Sequence, residues 1–325
     1  MSAIQDDEQL DSSYFAGYDD IKVHELMLDD EARGSAYAEA ISKIPDIENK
    51  VVLDVGSGTG FLALLAVKAG AKRAYAVEAA PGIAALSRSI AEENGVDLAG
   101  DSKLVIFNQT MEEVQLPERV DVIVSEWMGF YLLNESMLDS VIYARDKWLK
   151  PGGLMLPEQA TVYIAPVSMQ EFWRRKYHRF LSYFGLDYSS IANKNLEQAL
   201  SKSYVIEQLA PDQLLSEPVA IFSLDLLTVQ KSDLTGWRVS VALPTDREGS
   251  FHGITVFFDV TFLQKAVTLS CSPRAAPTHW MQTTLLLPTP DGFQVPAGAE
   301  IEVDLSIIRL SDSSRGYELS MAFPE

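Results

Sequence analysis

The sequence predicts an α/β domain built on a parallel sheet, followed by an antiparallel β-domain that is interrupted once by helix. Three observations predict it. Short apolar runs alternate with helical stretches over the first half of the chain. After Pro157 the pattern changes to strands separated by loops rich in Pro, Gly, Asp and Ser. Residues 170–204 then break that pattern with a stretch that is helical, aromatic and long for a connection inside a β-domain.

In chain order, residues 1–11 are acidic and polar with no apolar period, and are expected to be disordered. Residues 12–157 form the first domain, beginning with a helical pattern to Ala40 in which Tyr14, Phe15, Tyr18, Met27 and Leu28 are candidate anchors. VVLDV (51–55), AYAVE (74–78), LVIFN (104–108) and VDVIVS (120–125) read as strands, and 60–69, 81–95 and 136–148 as helices. The last helix is expected to stop at the breaker cluster Lys150-Pro151-Gly152-Gly153. Strands alternating with helices indicate a parallel sheet covered on both faces. In the second domain, 158–325, ATVYIAPV, IFSLDL, WRVSVAL, GITVFFDVTFL, VTLSCS, TTLLLP, IEVDLSIIRL and YELSMAF read as strands of a barrel or sandwich.

Hydrophobic residues are 47% of the 325 and charged residues 22%, the balance of a globular protein, and no apolar run approaches the roughly 20 residues of a membrane span. The acidic, polar N-terminus is not a secretory signal. A net charge of −20 argues against nucleic acid or an anionic membrane as a direct partner and suits a basic ligand such as an arginine-rich segment, although acidity also serves solubility. Cys271 is the single cysteine, so neither an internal disulfide nor a cysteine metal cluster is expected. A reducing compartment, cytoplasm or nucleus, fits.

VVLDVGSGTG places Gly56, Gly58 and Gly60 between a strand and a helix, where glycines let a ligand approach the backbone. The G-x-G-x-G spacing differs from the G-x-G-x-x-G dinucleotide fingerprint, which disfavours a nicotinamide enzyme, and no phosphate-binding lysine follows, which disfavours an ATPase. By itself such a loop is equally a structural turn. Asp54 and Glu78 sit at the ends of the first two strands, where open α/β sheets bind ligands, and a carboxylate after the second strand can accept both hydroxyls of a ribose. Together they point to a nucleoside-bearing cofactor.

SEWMGFYLLNESM (125–137) carries Glu126 and Glu135 in otherwise apolar company. Buried carboxylates are costly unless a cationic or protonated group meets them, and a planar guanidinium with five donors is a natural partner. The alternative is that one glutamate caps the following helix while the other is solvated.

This segment resembles the double-glutamate loop of protein arginine methyltransferases. Further motifs similar to that family follow in order: SSYFAGY, KVHELMLDDEAR, VLDVGSGTG, AVE at 76–78, MEEVQLP, YARDKWLKPGG and PTHW at 277–280, spanning about residues 12–325. The resemblance implies a Rossmann-like methyltransferase domain and a β-barrel domain whose inserted helices, 170–204, form a homodimerisation arm. It implies S-adenosyl-L-methionine as cofactor, S-adenosyl-L-homocysteine as product, and arginine-rich proteins, histones or RNA-binding proteins among them, as substrates. By the same resemblance Arg33 binds the methionine carboxylate with His24 nearby, Gly56 and Gly58 belong to the glycine loop, Glu78 holds the ribose and Glu112 the adenine amine. Tyr14 and Tyr18 belong to a helix folding over the cofactor, and Met27 and Met137 line the transfer centre. His279 pairs with Asp30 and helps fix the substrate arginine, and Trp280 belongs, with Tyr14, Tyr18, Met27 and Met137, to the substrate pocket. Glu126 and Glu135 concentrate positive charge on one nitrogen of the substrate, and its proton leaves through Glu135 or the Asp30–His279 pair. Methionine at position 27 with an intact THW sequence goes with the type I, asymmetric dimethylating subgroup. One departure is Gly34, where relatives commonly carry threonine. Two other readings compete. A small-molecule methyltransferase would not require Glu126, Glu135 and the THW loop together, and an idle scaffold would have lost a glutamate or the glycine loop.

Overall fold

A computed structural model describes residues 17–311 and 314–324. The expected disorder of 1–11 and the expected roles of Tyr14 and Phe15 lie outside the described residues.

Two helices lead in, α1 (Ile21–Leu28) and α2 (Glu31–Ser42). They are two rather than one because Asp30 caps the second: its Oδ1 accepts from the Arg33 amide at 2.9 Å. The parallel sheet follows, with β1 (Val51–Val55), β2 (Arg73–Glu78), β3 (Leu104–Asn108), β4 (Val120–Val124) and β5 (Leu149–Leu156) in spatial order β3-β2-β1-β4-β5. Helices α3 (Phe61–Lys68), α4 (Pro81–Glu93) and α5 (Leu138–Trp148) make the crossovers. β1 is buried at every position, as a central strand covered on both faces must be. Strand order reverses between β1 and β4, and the crevice at the carboxyl ends of strands at such a point is where open sheets bind ligands.

α5 stops at Trp148, before the breaker cluster, as expected. Lys150-Pro151-Gly152-Gly153 itself lies within edge strand β5, which pairs Val120 with Leu149 and then Val122 with Leu154. The surplus residues form a bulge, where proline and glycine are tolerated because ladder hydrogen bonds are already interrupted.

The second half is antiparallel. β6 (Gln159–Val167), β8 (Val219–Asp225), β9 (Gly236–Pro244), β11 (Gly253–Phe262), β12 (Val267–Ser270), β13 (Gln282–Leu286), β15 (Glu300–Arg309) and β16 (Tyr317–Ala322) match the eight strand-like runs, and β7 (Val205–Glu207), β10 (Gly249–Phe251) and β14 (Phe293–Val295) add three short ones. The central ladder runs β7-β13-β11-β6-β8 with β12 on β11, and β16-β15-β9 form a second sheet of the barrel. The arm at 170–204 is a helical hairpin: Gln170–Trp173, Arg174–His178 and Arg179–Leu181 run out, and Ser189–Leu200 returns. Its root is packed, since Phe172 and Trp173 are buried against Val167, Met169 and Leu209.

One hydrophobic core runs through both halves, joining Tyr37, Leu53 and Ile123 of the α/β half to Phe258, Phe262 and Leu305 of the barrel. Arg145 of α5 is buried and donates to the carbonyls of Leu226 at 2.9 Å and Val229 at 2.7 Å.

Candidate active site

A cleft of about 600 Å3 opens at the carboxyl edge of the sheet, within the range of roughly 300–1,000 Å3 usual for small-molecule sites. The turn after β1 forms its floor: the Gly56 and Ser57 amides both donate to the Val77 carbonyl, at 2.9 and 3.0 Å. Gly56 has φ +67, and a Cβ there would come within 2.1 Å of Met137 Cε. Only glycine lets the floor and the α5 approach meet so closely.

Glu78, at the end of β2, lines the cleft, and its carboxylate accepts from the Gly58 amide at 2.8 Å and the Ala80 amide at 2.7 Å. Burial pushes its pKa up, while the Ala80 and Gly58 amides act to hold it down. At the opposite end Glu112 lines the cleft and accepts from the Ser140 hydroxyl at 2.7 Å. Gly58, His24, Met27 and Met137 complete the wall.

Asp54 does not line the cleft. It is buried beneath, where Oδ2 accepts from the Ala63 amide in the first turn of α3 at 2.9 Å and Oδ1 has no hydrogen-bond partner among the described residues. Burial lifts its pKa to about 7, with the Ala63 bond opposing and the neighbouring Glu78 adding to the rise. The sequence position at a strand end allowed both outcomes; the structure uses this carboxylate to fix the helix that carries the glycine loop.

Glu126 follows β4 and lines the cleft, and its Oε2 accepts from Arg33 Nε at 3.0 Å, with both side chains 8% exposed. Arg33 also donates through Nη1 to the Met27 carbonyl at 3.0 Å. The chain's own guanidinium thus occupies one oxygen of the glutamate expected to clamp a substrate guanidinium. Glu135 lines the same cleft and its Oε2 accepts from the Tyr18 hydroxyl. Tyr18 is held in turn by His24, whose Nε2 donates to the Tyr18 carbonyl at 2.8 Å.

The loop between these glutamates is held in a costly conformation. Tyr131, Leu132, Glu135 and Ser136 all have positive φ, between 44 and 79°, a region L-residues enter only when surroundings impose it. The barrel supplies the constraint: Arg315 Nη1 donates to the Glu135 carbonyl at 3.1 Å, the Ser136 hydroxyl donates to the Ser314 carbonyl at 3.3 Å, and the Tyr131 hydroxyl to the Tyr317 carbonyl at 3.1 Å.

Asp30, His279 and Trp280 stand behind the cleft rather than in its lining. His279 approaches Asp30 Oδ2 through its backbone amide at 2.8 Å and Nδ1 at 2.7 Å. Burial raises the Asp30 pKa, but the His279 ring and the Arg33 and His279 amides outweigh it and leave it lowered. Trp280 is buried, and its Nε1 donates to the Met128 carbonyl at 2.9 Å, inside the double-glutamate segment. These residues fix Arg33 and Glu126 from outside.

Residues 158–324 match the model of the arginine methyltransferase oligomerization subdomain, and residues 52–153 match a methyltransferase domain. The chain is 39% identical over 314 residues to protein arginine N-methyltransferase 6 of Danio rerio, an alignment covering 94% of this chain and 87% of that one. A crystal structure described as PRMT6 with SAH superposes with TM-score 0.81 at 33% identity, covering 94% of this chain and all of the other. The enzyme–prozyme heterotetrameric complex of Trypanosoma brucei PRMT1 with AdoHcy gives 0.80 at 29% identity, covering 95% of each chain.

The chain belongs to the protein arginine methyltransferase family. It is an S-adenosylmethionine-dependent enzyme that methylates protein arginine. The cleft of this arginine methyltransferase fits such a cofactor on its own terms. The glycine floor is stripped of side chains, Glu78 presents a carboxylate after β2, and the Ser57 hydroxyl in the lining is buried without a hydrogen-bond partner among the described residues. Arg309, Arg315 and Lys231 of the barrel also line the methyltransferase cleft. No local motif marks them: Arg309 ends a strand, Lys231 starts a 3-10 turn and Arg315 lies in a bend, and each reaches the site only through the fold.

Proposed function

We propose that the enzyme forms monomethylarginine and asymmetric dimethylarginine in arginine-rich proteins, with Glu126 and Glu135 as the guanidinium clamp. One observation carries this reading: both carboxylates of a single strained loop face the cleft that also holds Gly56 and Glu78, and each already engages a donor. When bound, S-adenosylmethionine supplies an electrophilic methyl group on a sulfonium. The chain's own residues do the rest. Glu78 takes the ribose hydroxyls, Glu112 the adenine amine, and Arg33 has donors beyond those spent on Glu126 and Met27 for a carboxylate. Glu126 and Glu135 draw the guanidinium's charge toward the nitrogens they hold and leave the remaining nitrogen the better nucleophile. Glu135 accepts the departing proton, because it faces the cleft while His279 and Asp30 stand behind it.

The asymmetric product rests on Met27 and Met137. Both line the cleft, and their unbranched ends can yield to a nitrogen that already bears one methyl. Chromatography of an acid-hydrolysed arginine-rich peptide tests it: monomethyl and asymmetric dimethylarginine are expected, and mainly symmetric product overturns the reading of the pocket. Met27→Phe is expected to lower the rate and shift output toward monomethyl or symmetric product.

The arm supports a homodimer. Its tip exposes Leu181, Tyr183, Leu186 and Tyr188, and Phe184 is 89% exposed, more apolar surface than a lone domain usually leaves open. Phe172 and Trp173 belong to the root and are not part of that surface. Light scattering at micromolar concentration is expected to show a dimer, and Phe184→Asp to lower its mass; an active parent that is strictly monomeric overturns the reading.

A further inference from the structure

We propose that Asp19 is a positioning residue that latches the N-terminal segment over the cofactor by capping helix α4. The segment 17–28 carries Tyr18, His24 and Met27 into the cleft wall. Its neighbour Asp19 turns the other way. Asp19 Oδ1 accepts from the Ile83 amide at 3.1 Å, across a sequence separation of 64 residues.

Helix α4 needs that bond. Its own N-cap is Ala80, which supplies no side-chain hydrogen bond, and its first residue is Pro81, which has no amide hydrogen. The first orphan donors of the helix are therefore Gly82 and Ile83, and Asp19 meets the Ile83 amide with a carboxylate, the group that a helix N-terminus favours by both hydrogen bonding and dipole. Gly82 makes room for it: a Cβ at that position would lie 2.6 Å from Asp19 Oδ1 and 2.9 Å from Oδ2.

The helix terminus is shared with the cofactor site. The Ala80 amide, one residue before Pro81, donates to Glu78 Oε1 at 2.7 Å. Two carboxylates thus meet the start of α4, one from the strand that holds the ribose and one from the segment that closes the cleft. Asp19 touches neither cofactor nor substrate. It acts through Tyr18 and His24, whose own contacts are with Glu135 and, 3.2 Å from where a Gly58 Cβ would stand, the glycine loop.

The proposal rests on the cofactor lying in this cleft, and the experiment separates the two. The dissociation rate of S-adenosylhomocysteine is measured by stopped-flow on the full chain, together with kcat and KM for S-adenosylmethionine. Asp19→Ala is expected to speed dissociation and raise KM about five-fold, the factor that about 1 kcal/mol of lost capping represents, with kcat at saturating cofactor within two-fold of the parent. Asp19→Asn, which keeps an acceptor oxygen at the same reach, is expected to stay near the parent. Gly82→Ala is expected to displace the carboxylate and match Asp19→Ala, and the double variant to be no worse than either alone. Dissociation from Asp19→Ala at the parent's rate overturns the latch, as does a loss in kcat with KM unchanged, or additive effects in the double variant. Glu78→Ala is the control for the site itself: unchanged affinity there would place the cofactor elsewhere, whatever Asp19 does.

Discussion

Arg309 grips Asp139 with both ends of its guanidinium, Nη1 to Oδ1 at 3.2 Å and Nη2 to Oδ2 at 2.8 Å, tying a barrel strand to the first turn of α5 just beyond Glu135. Its Nε donates to the Ser314 carbonyl at 2.9 Å, the same oxygen that accepts from Ser136. The strained glutamate loop is therefore flanked on both sides by barrel contacts.

Arg309→Met is expected to destabilise the protein by about 3 kcal/mol, near the low end for breaking one side of a buried pair, because Lys231 remains 3.0 Å from Asp139 to compensate it. Turnover is expected to fall with cofactor affinity largely kept. Urea denaturation with an unshifted midpoint would remove Arg309 from the support of the loop.

Glu126→Gln and Glu135→Gln are each expected to lower turnover by at least two orders of magnitude while leaving S-adenosylhomocysteine affinity within a few-fold of the parent. Each removes one arm of a charge-assisted clamp, a loss of roughly 3–5 kcal/mol. Activity within a factor of a few of the parent in both variants would sink the clamp assignment.

Asp54 predicts a pH dependence of stability. Its folded pKa lies near 7, above the ordinary 3.8 of the unfolded chain. Between those values the native state binds the extra proton, so stability attributable to this group is greatest below about pH 4, falls as pH rises toward 7 and is level above. Asp54→Asn keeps an acceptor for the Ala63 amide and cannot ionise. Its stability relative to the parent is expected to improve between pH 5 and pH 8, by up to a few kcal/mol on linkage. Parallel denaturation curves with a constant difference across that range would show that the carboxyl does not titrate there.

Gly34 lies in the first turn of the unbroken helix α2. A Cβ there would meet Phe61 Cζ at 3.8 Å, an ordinary contact. Gly34→Ala is expected to stabilise the enzyme by about 0.5–1 kcal/mol. A calorimetric midpoint that fails to rise would mean that glycine relieves a constraint elsewhere in the helix.

The central strands were legible because burial on both faces leaves near-continuous apolar runs, and VVLDV marks β1 residue for residue. β5 was not, because an edge strand tolerates the proline and glycines that otherwise announce a loop. At the site, the motif residues Glu126, Glu135, Glu78 and Gly56 could be read from the sequence and reach the cleft. Asp54 shows the limit: a strand-end carboxylate can face a ligand or the next helix, and no local pattern separates the two. Arg315, Arg309 and Asp19 act across 180, 170 and 64 residues respectively, and nothing in their immediate neighbours predicts a partner so distant.

The shared core of the two halves bears on how this enzyme can be divided. Tyr37 of α2 meets Phe262 of the barrel edge-on, with ring centroids 5.0 Å apart, and Trp280 reaches across to the Met128 carbonyl. A fragment ending at Pro157 would bare the apolar underside of its own sheet and leave Arg145 without the carbonyls that receive it. The two halves are therefore expected to melt together, in a single calorimetric peak, as so continuous an interior predicts. The barrel residues that hold the strained glutamate loop are part of that same interior, so the geometry of the clamp is lost together with the barrel.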